Sequence, residues 1–168
     1  VIMDEAGKMN RMVKNLLALN QLEFGEDDVQ FERFDITSLI SGVLQSLDIL
    51  IEQKEAQVIF RHKNPVYVWA DEFKVEQVVR NYVNNALNHI DGEKVIEIKI
   101  TQENDMAKIT VFNTGTPIPE EDLPHIWEKF YKVDKARTRE YGGNGIGLSI
   151  VKAIMDSFGK GYGAINHT

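Results

Sequence analysis

The chain has 168 residues, enough for one domain with an appendage, and 43% of them are hydrophobic. It carries 26 acidic and 19 basic side chains, a net charge of −7, which argues against a binder of duplex nucleic acid, because such a protein normally shows a basic face. Cysteine is absent, which excludes disulfides and thiolate metal sites, and the longest apolar runs are far too short for a membrane span.

The first predicted element is a long amphipathic helix over residues 1–22. Its apolar residues recur at spacings of four and three, the a/d pattern of a helical bundle: Ile2, Ala6, Met9, Val13 and Leu16, widened by Met12 and Leu19. Two interpretations are open: the helix packs on its own domain, or it is one strand of an intermolecular bundle. The acidic linker EFGEDD (23–28) that follows favours the second interpretation.

After the linker, a short strand is predicted at 29–34, with Val29, Phe31 and Phe34 alternating inward. Asp35 is the predicted N-cap of a helix. The broad apolar face of that helix comprises Leu39, Ile40, Val43, Leu44, Leu47, Leu50 and Ile51.

The remaining predicted elements are, in chain order, strands at 56–62 and 66–70, a helix at 71–90, strands at 94–103 and 106–113 that form a hairpin over Asn104-Asp105, a short helix at 125–131, a helix at 146–158 and a partial strand at 161–167. Helices and hairpin strands in this order predict an α/β (α+β) fold. We expect a two-layer α/β sandwich, in which helices cover one face of a mixed sheet, preceded by the one long amphipathic helix.

Asparagines recur on one face of the predicted helix 71–90. Asn81 and Asn85 are four residues apart, so they share a face, and Asn88 lies close by. An amide is costly to bury unpaired, but its neutral oxygen can fill one position of a Mg²⁺ shell that phosphates and water complete. The alternative is a solvated polar stripe.

The segment NTGTPIP follows the last strand of the predicted hairpin. Asn113 offers one carbonyl acceptor and one NH₂ donor at a fixed place, which suits the edge of a purine. Gly115 permits close approach of the backbone. The alternative is an ordinary turn built from Asn-Thr-Gly and two prolines.

Three glycines at alternate positions, Gly143, Gly145 and Gly147, lead into the last predicted helix. The free N–H groups of that helix, and the positive end of its dipole, would point at an anion held by the turn. Four bases precede the glycines: Lys132, Lys135, Arg137 and Arg139. A loop with these bases could close over phosphates; a solvated charged loop is the alternative.

These features occur in an order that resembles the ATP-binding domain of bacterial sensor histidine kinases, within the gyrase, Hsp90, histidine kinase and MutL superfamily. The N box is matched by NYVNNALNH, the first glycine box by NTGTPI, the F box by WEKFYK and the second glycine box by GGNGIGLSIVK. MNRMVKNLLALNQLE is similar to the second helix of the family's dimerisation and histidine phosphotransfer domain. The resemblance implies that residues 1–24 come from that bundle, and that residues 25–168 form the catalytic domain without its last strands.

The resemblance also implies roles for individual residues. Asn85 would ligate Mg²⁺, and Asn81 would support the phosphates or the metal shell. Asn113 stands where the family usually has an aspartate that reads the adenine amino group. Phe130 and Tyr131 would anchor the lid. The implied nucleotide-binding set is Asn81, Asn85, Asn88, Asn113, Gly115, Lys132, Arg137, Gly143, Gly145, Gly147 and Leu148.

For the parent protein, the resemblance implies transfer of the ATP γ-phosphoryl group to a histidine, with Mg²⁺ as cofactor, and then to an aspartate of a response regulator. It implies a homodimer through the helical bundle, and the cytoplasmic portion of a bacterial inner-membrane sensor protein. The family's acceptor histidine is followed by an acid and soon by Thr-Pro, a context absent around His62, His89, His125 and His167. We therefore assign no catalytic residue, and expect no autophosphorylation by these 168 residues alone.

Two departures from the family pattern keep a different class of function open. Asn113 replaces the usual aspartate, and Pro117 replaces the second glycine of the first glycine box. A nucleotide-blind pseudokinase, held in dimers by its first helix, is therefore an alternative. Another superfamily ATPase or an anti-sigma serine kinase is a further alternative, which the first helix disfavours.

Overall fold

The computed structural model describes residues 2–23, 25, 28–133 and 145–167. The chain divides into two compact units: a central unit, residues 30–116, and a terminal unit, residues 1–29 with 117–168. Within the described ranges, no helix has the length and apolar character that a bilayer crossing requires.

The elements are, in chain order, α1 (Ile2–Glu23), β1 (Glu32–Asp35), α2 (Ile36–Ser46), α3 (Asp48–Gln53), β2 (Gln57–Phe60), β3 (Tyr67–Ala70), α4 (Glu72–His89), β4 (Val95–Glu103), β5 (Met106–Asn113) and α5 (Gly147–Phe158). In the central unit β1 pairs antiparallel with β3. The other sheet is mixed, because β2 runs parallel to β4 and β5 runs antiparallel to it.

The core of the central unit lies between the helices and the inner face of the strands. From α4 it takes Val79, Val83, Ala86 and Leu87, and from β4 it takes Ile96 and Ile98, all at most 2% exposed. Phe34, Ile36, Ile40 and Val43 complete it from β1 and α2. The predicted combination of helices with a mixed sheet is confirmed.

Carboxylate caps start two of the helices. The Asp35 side chain accepts hydrogen bonds from the Thr37 backbone N–H at 2.9 Å and the Thr37 hydroxyl at 2.7 Å, which confirms it as the N-cap of α2. Asp71, which is buried, accepts from the backbone N–H groups of Lys74 at 3.1 Å and Gln30 at 2.9 Å. These bonds fix where α2 and α4 begin.

The predicted hairpin is confirmed, with its turn at Asn104-Asp105. Both residues have positive φ, 51° and 59°, as a type I′ turn requires. Glu103 pairs with Met106, and the register then runs without a break to Ile96 opposite Asn113. Asn113 therefore shares the inner, helix-covered face with Ile96 and Ile98, since successive strand residues alternate between faces.

Two predictions in the central unit are wrong in detail. The strand predicted at 29–34 begins only at Glu32, and Phe31 is 44% exposed, so only Phe34 points inward as expected. The helix after Asp35 is broken into α2 and α3 at Leu47, whose φ of −101° and ψ of 9° leave the helical region. The apolar periodicity continues across this break, which is why it is invisible in the sequence pattern.

Two predictions in the terminal unit are also wrong. Residues 125–131 form successive three-residue turns instead of a helix, with the backbone N–H of Glu128 donating to His125 and that of Tyr131 to Glu128. Residues 161–167 form no strand. The Asn166 side chain instead accepts from the Ile118 N–H at 2.9 Å and donates to the Ile118 carbonyl at 2.7 Å, so one amide replaces a strand pairing.

Helix α1 packs on α5 only toward its C-terminal end. There Leu19 is 1% exposed, whereas Met9, Val13 and Leu17 are more than half exposed. The predicted a/d stripe is thus covered at one end of the helix and bare over its middle in the structure of this chain.

We predict that the Asp35 cap makes stability depend on pH in the acid range. Hydrogen bonds, first that of the Thr37 hydroxyl, lower the pKa of Asp35 from 3.8 to about 2. Because the pKa is lower in the folded state, the stabilisation is complete above the unfolded value and is lost as pH falls from 3.8 toward 2. Asp35→Asn should therefore lower the melting temperature at pH 7, by a margin that shrinks across this window.

The measurement is thermal unfolding followed by circular dichroism at a series of pH values. Asp48→Asn is the matched control, since Asp48 lies in the first turn of α3 but the N-cap there has no side-chain bond. A difference between Asp35→Asn and the unmodified chain that stays constant down to pH 2 would contradict the assignment.

Candidate functional site

The asparagines of α4 lie on the side of the helix opposite its buried residues. With 100° per residue, Asn81, Asn85 and Asn88 cluster about half a turn from Val79 and Val83, and all three asparagines are half-buried. Asn81 donates its amide to the Gln77 carbonyl at 2.9 Å. Within the described part of the chain, the side chains of Asn85 and Asn88 have no hydrogen-bond partner, so both amides are available to a ligand.

Asn113 ends β5 with one half of its amide engaged. Its Nδ2 donates to the Thr114 carbonyl at 3.1 Å. This bond turns the Oδ1 atom away from the loop and leaves it as an acceptor. Because Asn113 faces the helix-covered side of the sheet, it can present that acceptor to a ligand on the same side as α4.

Gly115 holds the loop after β5 against the end of α4. A Cβ atom at this position would lie 2.5 Å from the His89 backbone oxygen, a distance no real side chain tolerates. Thr114 ties the same loop down: its carbonyl accepts from the Asp91 N–H at 3.0 Å, and its hydroxyl accepts from the Val95 N–H at 3.0 Å. The close approach expected of Gly115 is therefore made to the protein's own backbone, and it fixes the place of Asn113.

A second backbone contact, in the terminal unit, joins the F-box segment to the glycine turn. The Phe130 N–H donates to the Gly145 carbonyl at 2.9 Å. A Cβ atom on Gly145 would lie 2.9 Å from the Phe130 Cα, and the φ of Gly145 is +73°. Both facts require glycine at position 145. Phe130 is itself in a left-handed conformation, with φ of 65°.

Tyr131, the other predicted lid anchor, is held by its neighbours on both sides. Its hydroxyl donates to Asp122, and this bond raises the pKa of the tyrosine. Its ring stacks on His125, with centroids 5.4 Å apart. The Phe130 side chain is about half exposed, so of the two residues Phe130 is fixed by backbone contacts and Tyr131 by its side chain.

The N-terminus of α5 carries no side-chain cap. Ile146 is at the N-cap position, and no side chain in the described segments bonds to the first N–H groups, which belong to Gly147 and Leu148. The uncapped amides and the helix dipole make this end suited to an anion. The surrounding residues leave it open: Gly147 and Leu148 are half-buried.

The predicted residues are shared between the units. Five of them belong to the central unit, where the structure brings Asn113 and Gly115 to the end of α4: Asn81, Asn85, Asn88, Asn113 and Gly115. The terminal unit holds Phe130, Tyr131, half-buried Lys132, Gly145, Gly147 and Leu148. Arg137 and Gly143 lie outside the described residues.

Sequence reasoning missed two residues that organise these segments, Thr114 and Asp122. Thr114 ties the Asn113 loop to β4, and Asp122 holds Tyr131. No spacing signals either role, because each depends on partners brought near by the fold. Across the described ranges, no three His, Asp or Glu side chains are grouped to hold a metal ion. A divalent cation here would depend on neutral oxygens and on its ligand's own phosphates.

Comparison with protein families places the chain with known ATPases. Residues 70–167 match the family described as histidine kinase-, DNA gyrase B-, and HSP90-like ATPase. Sensor histidine kinase WalK of Bacillus subtilis is 32% identical over 163 residues, which are 95% of this chain and 26% of WalK. The chain spans about a quarter to a third of the length of the curated relatives it matches.

Solved structures show the same fold. The Acinetobacter baumannii histidine kinase AdeS superposes with a TM-score of 0.75 at 20% identity, over 92% of this chain and 70% of that one. The histidine kinase ThkA, solved in complex with the response regulator protein TrrA, gives a TM-score of 0.66 at 26% identity. That match covers 78% of this chain and 38% of ThkA.

We predict that Gly115→Ala lowers the free energy of unfolding by about 1–3 kcal/mol, because the loop must move off the end of α4 to accept a Cβ. The side-chain amide signals of Asn113 should shift in the same variant. Gly42→Ala is the control: Gly42 is within α2 and has open space around it, so alanine should be neutral or stabilise by up to about 1 kcal/mol.

Urea denaturation and ¹⁵N-correlated NMR spectra are the measurements. If Gly115→Ala unfolds at the same urea concentration as the unmodified chain, with the Asn113 signals in place, the close approach at His89 does not position the loop.

Proposed function

We propose that the chain, which belongs to the family of histidine kinase-, DNA gyrase B-, and HSP90-like ATPases, is the ATP-binding catalytic part of a sensor histidine kinase. In the parent protein it would transfer the γ-phosphoryl group of ATP to a histidine. The observation that carries this proposal is Asn85, a half-buried asparagine on α4 whose amide has no partner in the described part of the chain. A buried amide left unpaired is costly, and a bound metal–nucleotide complex would satisfy it.

In this proposal the phosphates are bound largely by backbone N–H groups. The amides of Gly147 and Leu148 at the uncapped start of α5 would donate to phosphate oxygens. Gly143 and Gly145 would let the preceding backbone follow the phosphate chain. Lys132 and Arg137 would add positive charge in a chain that is otherwise acidic.

Mg²⁺ and the adenine ring would be held by side-chain amides. Asn85 would supply a neutral oxygen to Mg²⁺, which when bound neutralises phosphate charge, while Asn81 and Asn88 would support the same region of α4. Asn113 would accept from the adenine amino group through Oδ1, the atom that its bond to Thr114 leaves unengaged. An amide in the usual place of an aspartate thus keeps the acceptor and loses the charge.

The chemistry asked of the protein is modest. Phosphoryl transfer depends mainly on positioning the reactants and on stabilising charge, with little covalent work by side chains. We assign no general base. We place the acceptor histidine outside these 168 residues, because none of the four histidines present has the family's acceptor context.

Partners of the parent protein are proposed on the same basis. The bare stripe of α1, formed by Met9, Val13 and Leu17, would be covered by a second copy in a helical bundle. Residues 1–24 would belong to that bundle and residues 25–168 to the catalytic domain. Since ThkA was solved with a response regulator, we propose a response regulator as the final acceptor, and a cytoplasmic place for this part of a membrane sensor.

We predict that the chain binds the non-hydrolysable analogue AMPPNP in a Mg²⁺-dependent manner, measured by calorimetry. Asn85→Ala should weaken binding in the presence of Mg²⁺ at least tenfold, about 1.4 kcal/mol, and should have little effect without Mg²⁺. Asn84→Ala is the matched control: it is a half-buried asparagine of the same helix, turned 100° away from Asn85.

Equal losses in Asn84→Ala and Asn85→Ala would remove the metal role of Asn85. No binding at all by a chain shown to be folded would favour the nucleotide-blind interaction module, the candidate that the Asn113 substitution supports.

Asn113 generates a separate prediction about the base. Asn113→Ala should weaken ATP binding by about twofold to tenfold, the range expected for one hydrogen bond, and should leave GTP binding unchanged. Asn113→Asp should raise the preference for ATP over GTP. The measurement is competition of each nucleotide against a fluorescent ATP analogue; an ATP affinity that Asn113→Ala leaves unchanged would contradict this role.

A further inference from the structure

A cavity of about 500 Å³ lies within the terminal unit, apart from every residue assigned to the nucleotide. The end of α1 closes one side, the turn at Trp127–Lys129 another, and the outer face of α5 the third. Its lining consists of Leu22, Glu23, Trp127, Glu128, Lys129, Ser149, Lys152, Ala153, Asp156 and Ser157. Cavities of this volume bind small organic molecules.

One polar atom at this cavity is left without a partner. Ser149 is 4% exposed, and its Oγ is the buried side-chain atom that forms no hydrogen bond within the described part of the chain. Serine is a poorer helix former than alanine, and a buried hydroxyl without a partner is destabilising. Neither helix formation nor packing therefore explains serine at this position, whereas a ligand in the cavity would.

The charges that line the cavity are already paired, with an excess of carboxylate. Lys129 pairs with Glu23 at 2.7 Å, and Lys152 pairs with Asp156 at 2.9 Å, a contact that raises the lysine's pKa. Three carboxylates (Glu23, Glu128, Asp156) against two lysines give a net charge of −1. The lining thus favours a cation over an anion.

An aromatic ring supplies the remaining wall. Trp127 is half-buried and is held by Tyr162 in an edge-on contact, with centroids 4.8 Å apart. A fixed indole offers a flat apolar surface for another ring and attracts cations to its face. Leu22 and Ala153 extend the apolar part of the lining.

We propose that this cavity is a second ligand site, and that it takes a small aromatic amine in its cationic form. The ring packs on Trp127, and the ammonium group lies toward Glu128 and donates to the Ser149 hydroxyl. The site is independent of ATP, since it uses none of the residues assigned to nucleotide binding.

The chain contains two tryptophans, which makes the test direct. Trp127 lines the cavity, while Trp69 stands exposed in the central unit. The ¹⁵N-labelled 168-residue chain is titrated, without nucleotide, with tryptamine and with indole-3-acetate, which have the same ring and opposite charges. Tryptamine should shift the Trp127 indole N–H signal saturably and leave Trp69 in place. Indole-3-acetate should bind at least tenfold more weakly.

Two variants examine the lining. Ser149→Ala should weaken tryptamine binding threefold to tenfold, and Ala153→Leu, which fills the cavity, should abolish it. Ser46→Ala is the control, since Ser46 is a helical serine of the central unit whose hydroxyl is bonded to the Val43 carbonyl; it should bind as the unmodified chain does. Dispersed Trp69 signals in each variant verify that it is folded.

Three results would overturn the proposal. If neither probe shifts Trp127, Ser149 is satisfied by water alone. Equal affinity for the two probes would show that the cavity does not select a cation. Parallel shifts of Trp127 and Trp69, or undiminished binding to Ala153→Leu, would show non-specific association.

Discussion

The burial of one face of α4 against the mixed sheet is the constraint on which the central unit depends. Once Val79, Val83 and Ala86 are in the core, the period of the helix sends Asn81, Asn85 and Asn88 to the opposite face. The same packing fixes the C-terminal end of α4, against which the loop at Gly115 rests. Hydrophobic burial therefore positions the polar amides, and the polar groups contribute little to the fold themselves.

In the terminal unit, the backbone contact between Phe130 and Gly145 has the corresponding effect. It brings the end of the F-box segment to the start of α5, where the amides of Gly147 and Leu148 are free of side-chain caps. Phosphoryl transfer needs donors and charge at fixed places more than it needs reactive side chains. Glycines that hold backbone to backbone, at positions 115 and 145, are consistent with this requirement.

Much of the central unit could be predicted from the sequence, because α4, the hairpin and the Asp35 cap rest on local signals: apolar period, turn residues and a capping side chain. The break at Leu47 and the turns at 125–131 could not be predicted, since apolar spacing alone does not report where a helix stops. The candidate residues came from a resemblance in the order of motifs. That Asn85 lacks a partner while Asn81 has one, or that Gly115 packs on His89, depends on tertiary contacts that no motif contains.

The central claim is that Asn85, Asn113 and the start of α5 bind one nucleotide. The most direct measurement is a titration of the ¹⁵N-labelled chain with Mg²⁺ and AMPPNP, following the side-chain amides of Asn85 and Asn113 with the backbone amides of Gly147 and Leu148. The account predicts that all four signals move with a single dissociation constant, while the side-chain amide of Asn84 stays in place. Shifts confined to the α5 amides, or distinct dissociation constants for the two sets of signals, would contradict it.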